Sequence, residues 1–241
     1  MKVIITKNYD ELSKEAFKIM IDVIKNKPNA CLGLATGTTP LGLYQELIKD
    51  HQENKTSYKK VRTVNLDEYL GLDYSNDQSY AYFMRVNLFD YLDIDLKNTH
   101  IENGKALDPK EECQRYNEIL KENVPDIQLL GIGSDGHIAF NEPGTSFEAE
   151  THVATLTAST IKDNSRLFKD ISEVPTKAYT QGPKNIMRAK KILLLASGKN
   201  KAQAVYDMLK GPVSENCPAS ILQRHPNCIV VLDEEAAELI K

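Results

Sequence analysis

Apolar positions recur along the chain at two different periods. Over YDELSKEAFKIMIDVIKN (9–26), Leu12, Ala16, Ile19, Met20 and Val23 fall three or four residues apart, which places one apolar stripe on a helix. Helical spacing returns in PLGLYQELIKDH (40–51), opened by Pro40 in its first turn, in YAYFMRVNLFDYL (80–92) and in DPKEECQRYNEILKEN (108–123). It returns once more in KNKAQAVYDMLKG (199–211), which Gly211 ends. Between these segments lie short apolar runs: KVIIT (2–6), CLGLA (31–35), VRTVNL (61–66), DIQLLGIG (126–133), KKILLLA (190–196) and CIVVL (228–232), with EEAAELI (234–240) closing the pattern. Near-continuous apolar strands alternating with helices predict an α/β fold. Its three layers would be a mostly parallel, Rossmann-like open sheet with helices on both faces. No linker, repeat or low-complexity tract interrupts the order, so residues 1–241 read as a single domain. Residues 144–182 fit the rhythm least and are expected to form a cover or lid.

Composition narrows the function. Of 241 residues, 41% are hydrophobic and 27% charged, with a net charge of −4 and no dense Lys/Arg block, which argues against a nucleic-acid or membrane surface. The N-terminus has no apolar signal core and no run of 18 apolar residues occurs, so a cytoplasmic protein is expected. Cys31, Cys113, Cys217 and Cys228 form no metal-ligand spacing and are expected to be free thiols.

In an open parallel sheet, ligands bind beyond the carboxyl ends of the strands, and the chemistry of this chain collects there. CLGLA is followed by TGTTP (36–40), where Gly37, Thr38 and Thr39 offer backbone N–H groups at a helix start. The loop lacks GK[ST] and GxGxxG, so a small phosphorylated ligand suits it better than a nucleotide. Arg166 and Lys201 are candidate cations for the same phosphate. VRTVNL is followed by Asp67, which could cap, face solvent or act as a general base. DIQLL runs into GIGSDGHIAFNEPG (131–144), where His137 stands between Asp135 and Glu142. Imidazole is the side chain suited to acid and base work near neutrality, and two carboxylates can orient it and favour its protonated form. No Ser or Cys nucleophile elbow is present. A metal reading would need a further ligand, and His51, His100, His152 and His225 stand at no useful spacing.

Five segments together resemble the glucosamine-6-phosphate deaminase (glucosamine-6-phosphate isomerase) family: LGLATGTTP (32–40), VNLDEYLGL (64–72), GIGSDGHIAFNEPGTSF (131–147), NSRLF (164–168) and SGKNKA (197–202). The resemblance runs from about residue 2 to the C-terminus. 6-Phosphogluconolactonases share the GxGxDGH core but continue with a T-x-S-L-F-P-like sequence in place of IAFNEP, and with a D-E-R-like element in place of DEYLGL. The resemblance implies conversion of D-glucosamine 6-phosphate and water to D-fructose 6-phosphate and ammonia, with no cofactor and no essential metal. It further implies Asp67 as the base between C2 and C1, and His137 as the ring-opening group, tuned by Asp135 and Glu142. Gly37, Thr38, Thr39, Arg166 and Lys201 would hold the phosphate. A lactonase, or a sugar-phosphate-binding regulator without catalysis, is the competing reading. The regulator is weakened by the presence of all four acid–base residues.

Two departures carry expectations. Thr38 stands where many relatives have a second glycine, which narrows the backbone angles open to the loop. His152 and Ala154 replace an Arg and a Lys of the hexameric, allosteric members, so activation by N-acetylglucosamine 6-phosphate is not expected. A monomer or small homo-oligomer follows.

Overall fold

The computed structural model describes residues 1–158, 160, 161, 168, 170 and 173–241. Its elements are β1 (Lys2–Thr6), α1 (Tyr9–Asn26), β2 (Cys31–Leu34), α2 (Leu41–Asn54), β3 (Arg62–Asn65), β4 (Asp67–Tyr69), α3 (Tyr80–Asn87) and β5 (Thr99–His100). They continue with α4 (Pro109–Glu122), β6 (Ile127–Leu130), β7 (His152–Thr155), β8 (Lys177–Thr180), α5 (Pro183–Ile186), β9 (Ile192–Ala196), α6 (Ala202–Lys210) and β10 (Cys228–Asp233). Seven strands form one sheet in the order β1-β10-β9-β6-β2-β3-β5, and every pairing in it is parallel.

Side chains alternate across a strand, so a parallel sheet needs cover on both faces. On β2, Leu32 and Leu34 join the main core with Leu43, Tyr44 and Leu47 of α2. Cys31 of the same strand, with Val64 of β3, packs instead against Tyr116 and Leu120 of α4. The three-layer expectation therefore holds. The long helices start where capping chemistry starts them: Asn8 accepts from the Glu11 N–H ahead of α1, and Asp108 from Lys110 and Glu111 ahead of α4.

Several local expectations change. KVIIT is an edge strand, with Val3 and Ile5 39% and 43% exposed. The helix expected over 80–92 stops at Asn87, where Leu88 leaves helical angles, and a 3-10 turn takes Phe89–Tyr91. The strand expected over 126–133 ends at Leu130, freeing Gly131 and Gly133 for a loop. Residues 234–240 form turns and no regular helix. The apolar run 61–66 ends at Asn65, and the next residues enter a second sheet of order β4-β8-β7, antiparallel throughout. That sheet accounts for the poor fit of 144–182: two of its three strands lie there.

Candidate active site

The loops after β2, β3, β6 and β9 open on one cavity of about 640 Å³, within the range of small-molecule sites. Thr36 to Pro40, Asp67, Gly131 to Gly133, His137 and Lys201 all line it. Apart from Asp135, Glu142 and Arg166, the residues expected to act are thus brought to one place. Asp135 and Glu142 stand just behind His137. Arg166 lies outside the described residues.

The loop after β2 gets its shape from Gly37. Its φ of +92° belongs to the left-handed region that glycine occupies at no steric cost. Thr38 is not among the described residues with positive φ, so the threonine that replaces glycine sits where a side chain is tolerated. Tyr9, in the first turn of α1, clamps this loop: its hydroxyl lies 3.1 Å from the carbonyl oxygens of Thr38 and Thr39 and accepts from the Gly42 N–H at 2.8 Å. The clamp leaves the loop's N–H groups at the N-terminus of α2, the arrangement that favours an anion.

Lys201 closes the 3-10 turn Lys199–Lys201, ahead of α6. Asp233, at the end of β10, fixes the approach by accepting from Gly198 N–H at 3.0 Å and from the Ser197 hydroxyl. Lys201 therefore reaches the cavity from the side opposite β3.

Asp67 is the first residue of β4 and is 7% exposed. Burial, and next the neighbouring Glu68 charge, push its carboxyl up to about 8, because a carboxylate removed from water loses the hydration that favours its charged form. Glu68 does different work. It is fully buried and accepts from the N–H groups of Tyr69, Tyr80 and Ala81 at 2.8, 3.0 and 2.9 Å, which ties β4 to the N-terminus of α3. Tyr80 then forms a wall of the cavity beside Asp67 and stacks on Phe140 at an interplanar angle of 12°.

The GIGSDGHIAFNEPG loop is folded around an imidazole. His137 Nδ1 is 2.7 Å from Asp135 Oδ1 and 3.6 Å from Glu142 Oε2. The 2.7 Å contact is bent, outside the alignment of a straight N–H···O bond, so its force is mainly electrostatic. The contact with His137 nevertheless holds the Asp135 carboxyl down at about 2, helped by the His137 backbone N–H. With both carboxylates on the Nδ1 side, Nε2 is the ring atom left for a substrate. Gly133 is required here: a Cβ on it would lie 2.3 Å from the His137 ring. Ala139 holds a left-handed φ of 52°, a strain of about 1 kcal/mol for a residue with a Cβ. Asn141 secures that turn by donating through both its backbone N–H and its Nδ2 to Ile138 O.

Thr180 and Gln181 brace Asp67 and the His137 loop together. Gln181 donates from its backbone to Leu66 O and from Nε2 to Asn65 O, each at 2.7 Å, and so holds the strand end that carries Asp67. Its own carbonyl accepts from Asn141 Nδ2 at 2.8 Å, and Thr180 Oγ1 accepts from Phe140 N–H at 3.1 Å. Asp135, His137 and Glu142 also form a group whose ligand atoms lie within 4.8 Å of one another. They could hold a metal ion only by giving up these internal contacts. Tyr9, Tyr80, Thr160 and Gln181 belong to the site or its supports and carried no motif. Only their proximity in the fold reveals them.

The chain matches the family model described as glucosamine-6-phosphate isomerases/6-phosphogluconolactonase over residues 6–231. It is 52% identical to a glucosamine-6-phosphate deaminase of Thermoanaerobacter pseudethanolicus, over all of this chain and 95% of that one. It is 48% identical to the deaminase of Lactobacillus delbrueckii subsp. bulgaricus, over the whole of both chains. A solved structure described as a monomeric glucosamine-6-phosphate deaminase superposes with a TM-score of 0.97 at 48% identity, covering 99% of this chain and 100% of that one. The 6-phosphogluconolactonase of Trypanosoma brucei matches with a TM-score of 0.80 at 21% identity, over 100% of this chain and 98% of that one, a likeness of fold alone. With a family model spanning nearly the whole chain and relatives at about half identity from end to end, this chain belongs to the glucosamine-6-phosphate isomerase/6-phosphogluconolactonase family.

Proposed function

We propose that the chain is a glucosamine-6-phosphate deaminase, converting D-glucosamine 6-phosphate and water to D-fructose 6-phosphate and ammonia. The observation that carries this reading is the buried Asp67 carboxyl facing the same cavity as His137. Opening a pyranose needs a proton group at the ring oxygen, and moving hydrogen from C2 to C1 needs a separate base shielded from water. In this reading His137 delivers a proton to the ring oxygen through Nε2. Asp67 then takes the C2 proton, leaving an enolamine, and returns a proton to C1 to give the imine of the ketose. Water adds at C2 and ammonia leaves, so no electron acceptor is required. The substrate's cationic amino group favours ionised Asp67, opposing the burial that raises its pKa. Gly37, Thr38, Thr39 and Lys201 would hold the phosphate, with Arg166 as a further cation.

A lactone hydrolase would use His137 but has no hydrogen to move from C2, so its turnover need not depend on Asp67 as a base. The solved structure matched at 48% identity is described as a monomeric deaminase, which supports a monomer here, and a cytoplasmic location suits a phosphorylated sugar substrate. The test is ammonia release from glucosamine 6-phosphate by purified protein, with and without EDTA, beside hydrolysis of 6-phosphogluconolactone. Ammonia should appear at equal rates with and without chelator, and the lactone should not be hydrolysed. Lactone hydrolysis without ammonia would overturn the assignment, and ammonia release abolished only by EDTA would overturn the metal-free chemistry.

A further inference from the structure

Glu142 faces two different neighbours with its two oxygens. Oε2 stands 3.6 Å from His137 Nδ1 and has no hydrogen-bond partner among the described residues. Oε1 accepts from the Thr160 hydroxyl at 2.6 Å, across 18 positions of sequence. Thr160 is 5% exposed and lines the cavity, so this bond is made away from bulk water, where a hydrogen bond to a charged group contributes most. Thr157 supports the arrangement. Its Oγ1 lies 3.0 Å from Thr160 Oγ1 and accepts from Thr160 N–H at 3.2 Å, while its own N–H and hydroxyl are each 3.5 Å from Glu142 Oε1.

The consequence is orientational. A carboxylate held at neither oxygen can rotate about its last torsion, and in a bent, 3.6 Å relation to an imidazole it gains little by staying put. Fixing Oε1 on a buried hydroxyl removes that freedom and leaves Oε2 aimed at the ring. We infer that Thr160 is a positioning residue for the ring-opening step, holding Glu142 so that one chosen oxygen faces His137. The inference rests on the deaminase reading for its chemistry, but its geometry is independent of it. It also assigns part of the 144–182 segment a task in catalysis beyond covering the cavity.

The substitutions that test it are Thr160→Val, which keeps shape and removes the hydroxyl, and Thr160→Ser, which keeps the hydroxyl. Thr160→Val is expected to lower kcat/KM for ammonia release by about 10- to 100-fold, to alter its pH profile, and to leave KM changed by less than about threefold. Thr160→Ser should restore both rate and profile. In a Glu142→Gln background the valine should add almost nothing, since the shared interaction is already gone. A readout free of turnover is the NMR signal of the His137 ring at fixed pH, which should move in Thr160→Val and return in Thr160→Ser. A wild-type protein that releases no ammonia would count against the deaminase reading, and the ring signals would still decide the role of Thr160. Wild-type rate, profile and ring signals in Thr160→Val would overturn the inference. So would a serine variant as impaired as the valine, or a full further loss in the Glu142→Gln background. Thermal melts of each variant separate these outcomes from unfolding. If Thr160→Val does not fold, a serine variant with displaced ring signals is the overturning result.

Discussion

Burial and the Glu68 charge act on Asp67 in the same direction, and the result has a measurable sign. Its folded pKa of about 8 lies above the ordinary aspartate range near 4. Between those values the native state binds the proton that the unfolded chain has released, so Asp67 lowers stability as pH rises through that window. Asp67→Asn should therefore melt above wild type at pH 8, with the gap closing as pH falls to 4. A gap independent of pH would contradict the burial account. Gly133 makes a second residue-scale case. Its Cβ would overlap the His137 ring, and displacement of a catalytic group by about 1 Å can cost about 100-fold in rate. Gly133→Ala should lose activity on that order while folding normally, which kcat/KM beside a melting curve will check. The spacing of Asp135, His137 and Glu142 was legible in the sequence because one short loop carries all three. Thr160 and Gln181 were not, because they meet their partners only across 18 and 116 positions of sequence.

Elements of strong periodicity were the legible ones. The bounds of α1 match 9–26, since eighteen residues give the helical period room to repeat; Leu12, Ala16 and Met20 of the expected stripe are buried, while Ile19 and Val23 are partly buried and Ile21 and Ile24 join the core. β4, β7 and β8 have three, four and four residues, too few for a period, and their state is set by pairing with one another. That small sheet places Asp67 opposite Thr180 and brings both proton stations under one brace. The same scale governs the loop proposed to hold the phosphate, which is pinned by a residue of α1. Tyr9→Phe removes the hydroxyl that reaches Thr38 O, Thr39 O and Gly42 N. KM for the sugar phosphate should rise several-fold with kcat little changed, because the phosphate holds both ground and transition states. Steady-state kinetics will show it, and an unchanged KM would remove Tyr9 from the site.

At the scale of the whole molecule, a mostly parallel sheet with loops gathered at its carboxyl edge follows from alternating apolar runs, and that much was readable. What the cover segment contributes was not, because its strands belong to a second sheet. Ala154, at the position where the hexameric members carry a Lys, is 7% exposed and packs with Tyr69, Phe140, Leu156 and Ala178. An apolar contact there offers no anion site. Light scattering should give the mass of one chain, and velocity against substrate should be hyperbolic and insensitive to N-acetylglucosamine 6-phosphate. Sigmoidal kinetics relieved by that compound would contradict it.

The claim that Asp67 moves the C2 hydrogen is tested most directly with glucosamine 6-phosphate deuterated at C2, turned over by wild type and by Asp67→Asn. The account predicts fructose 6-phosphate from the wild type with part of the deuterium carried to C1. It also predicts that the asparagine variant loses about a thousandfold or more in rate. Turnover by Asp67→Asn at a rate close to wild type, with deuterium still carried to C1, would contradict it.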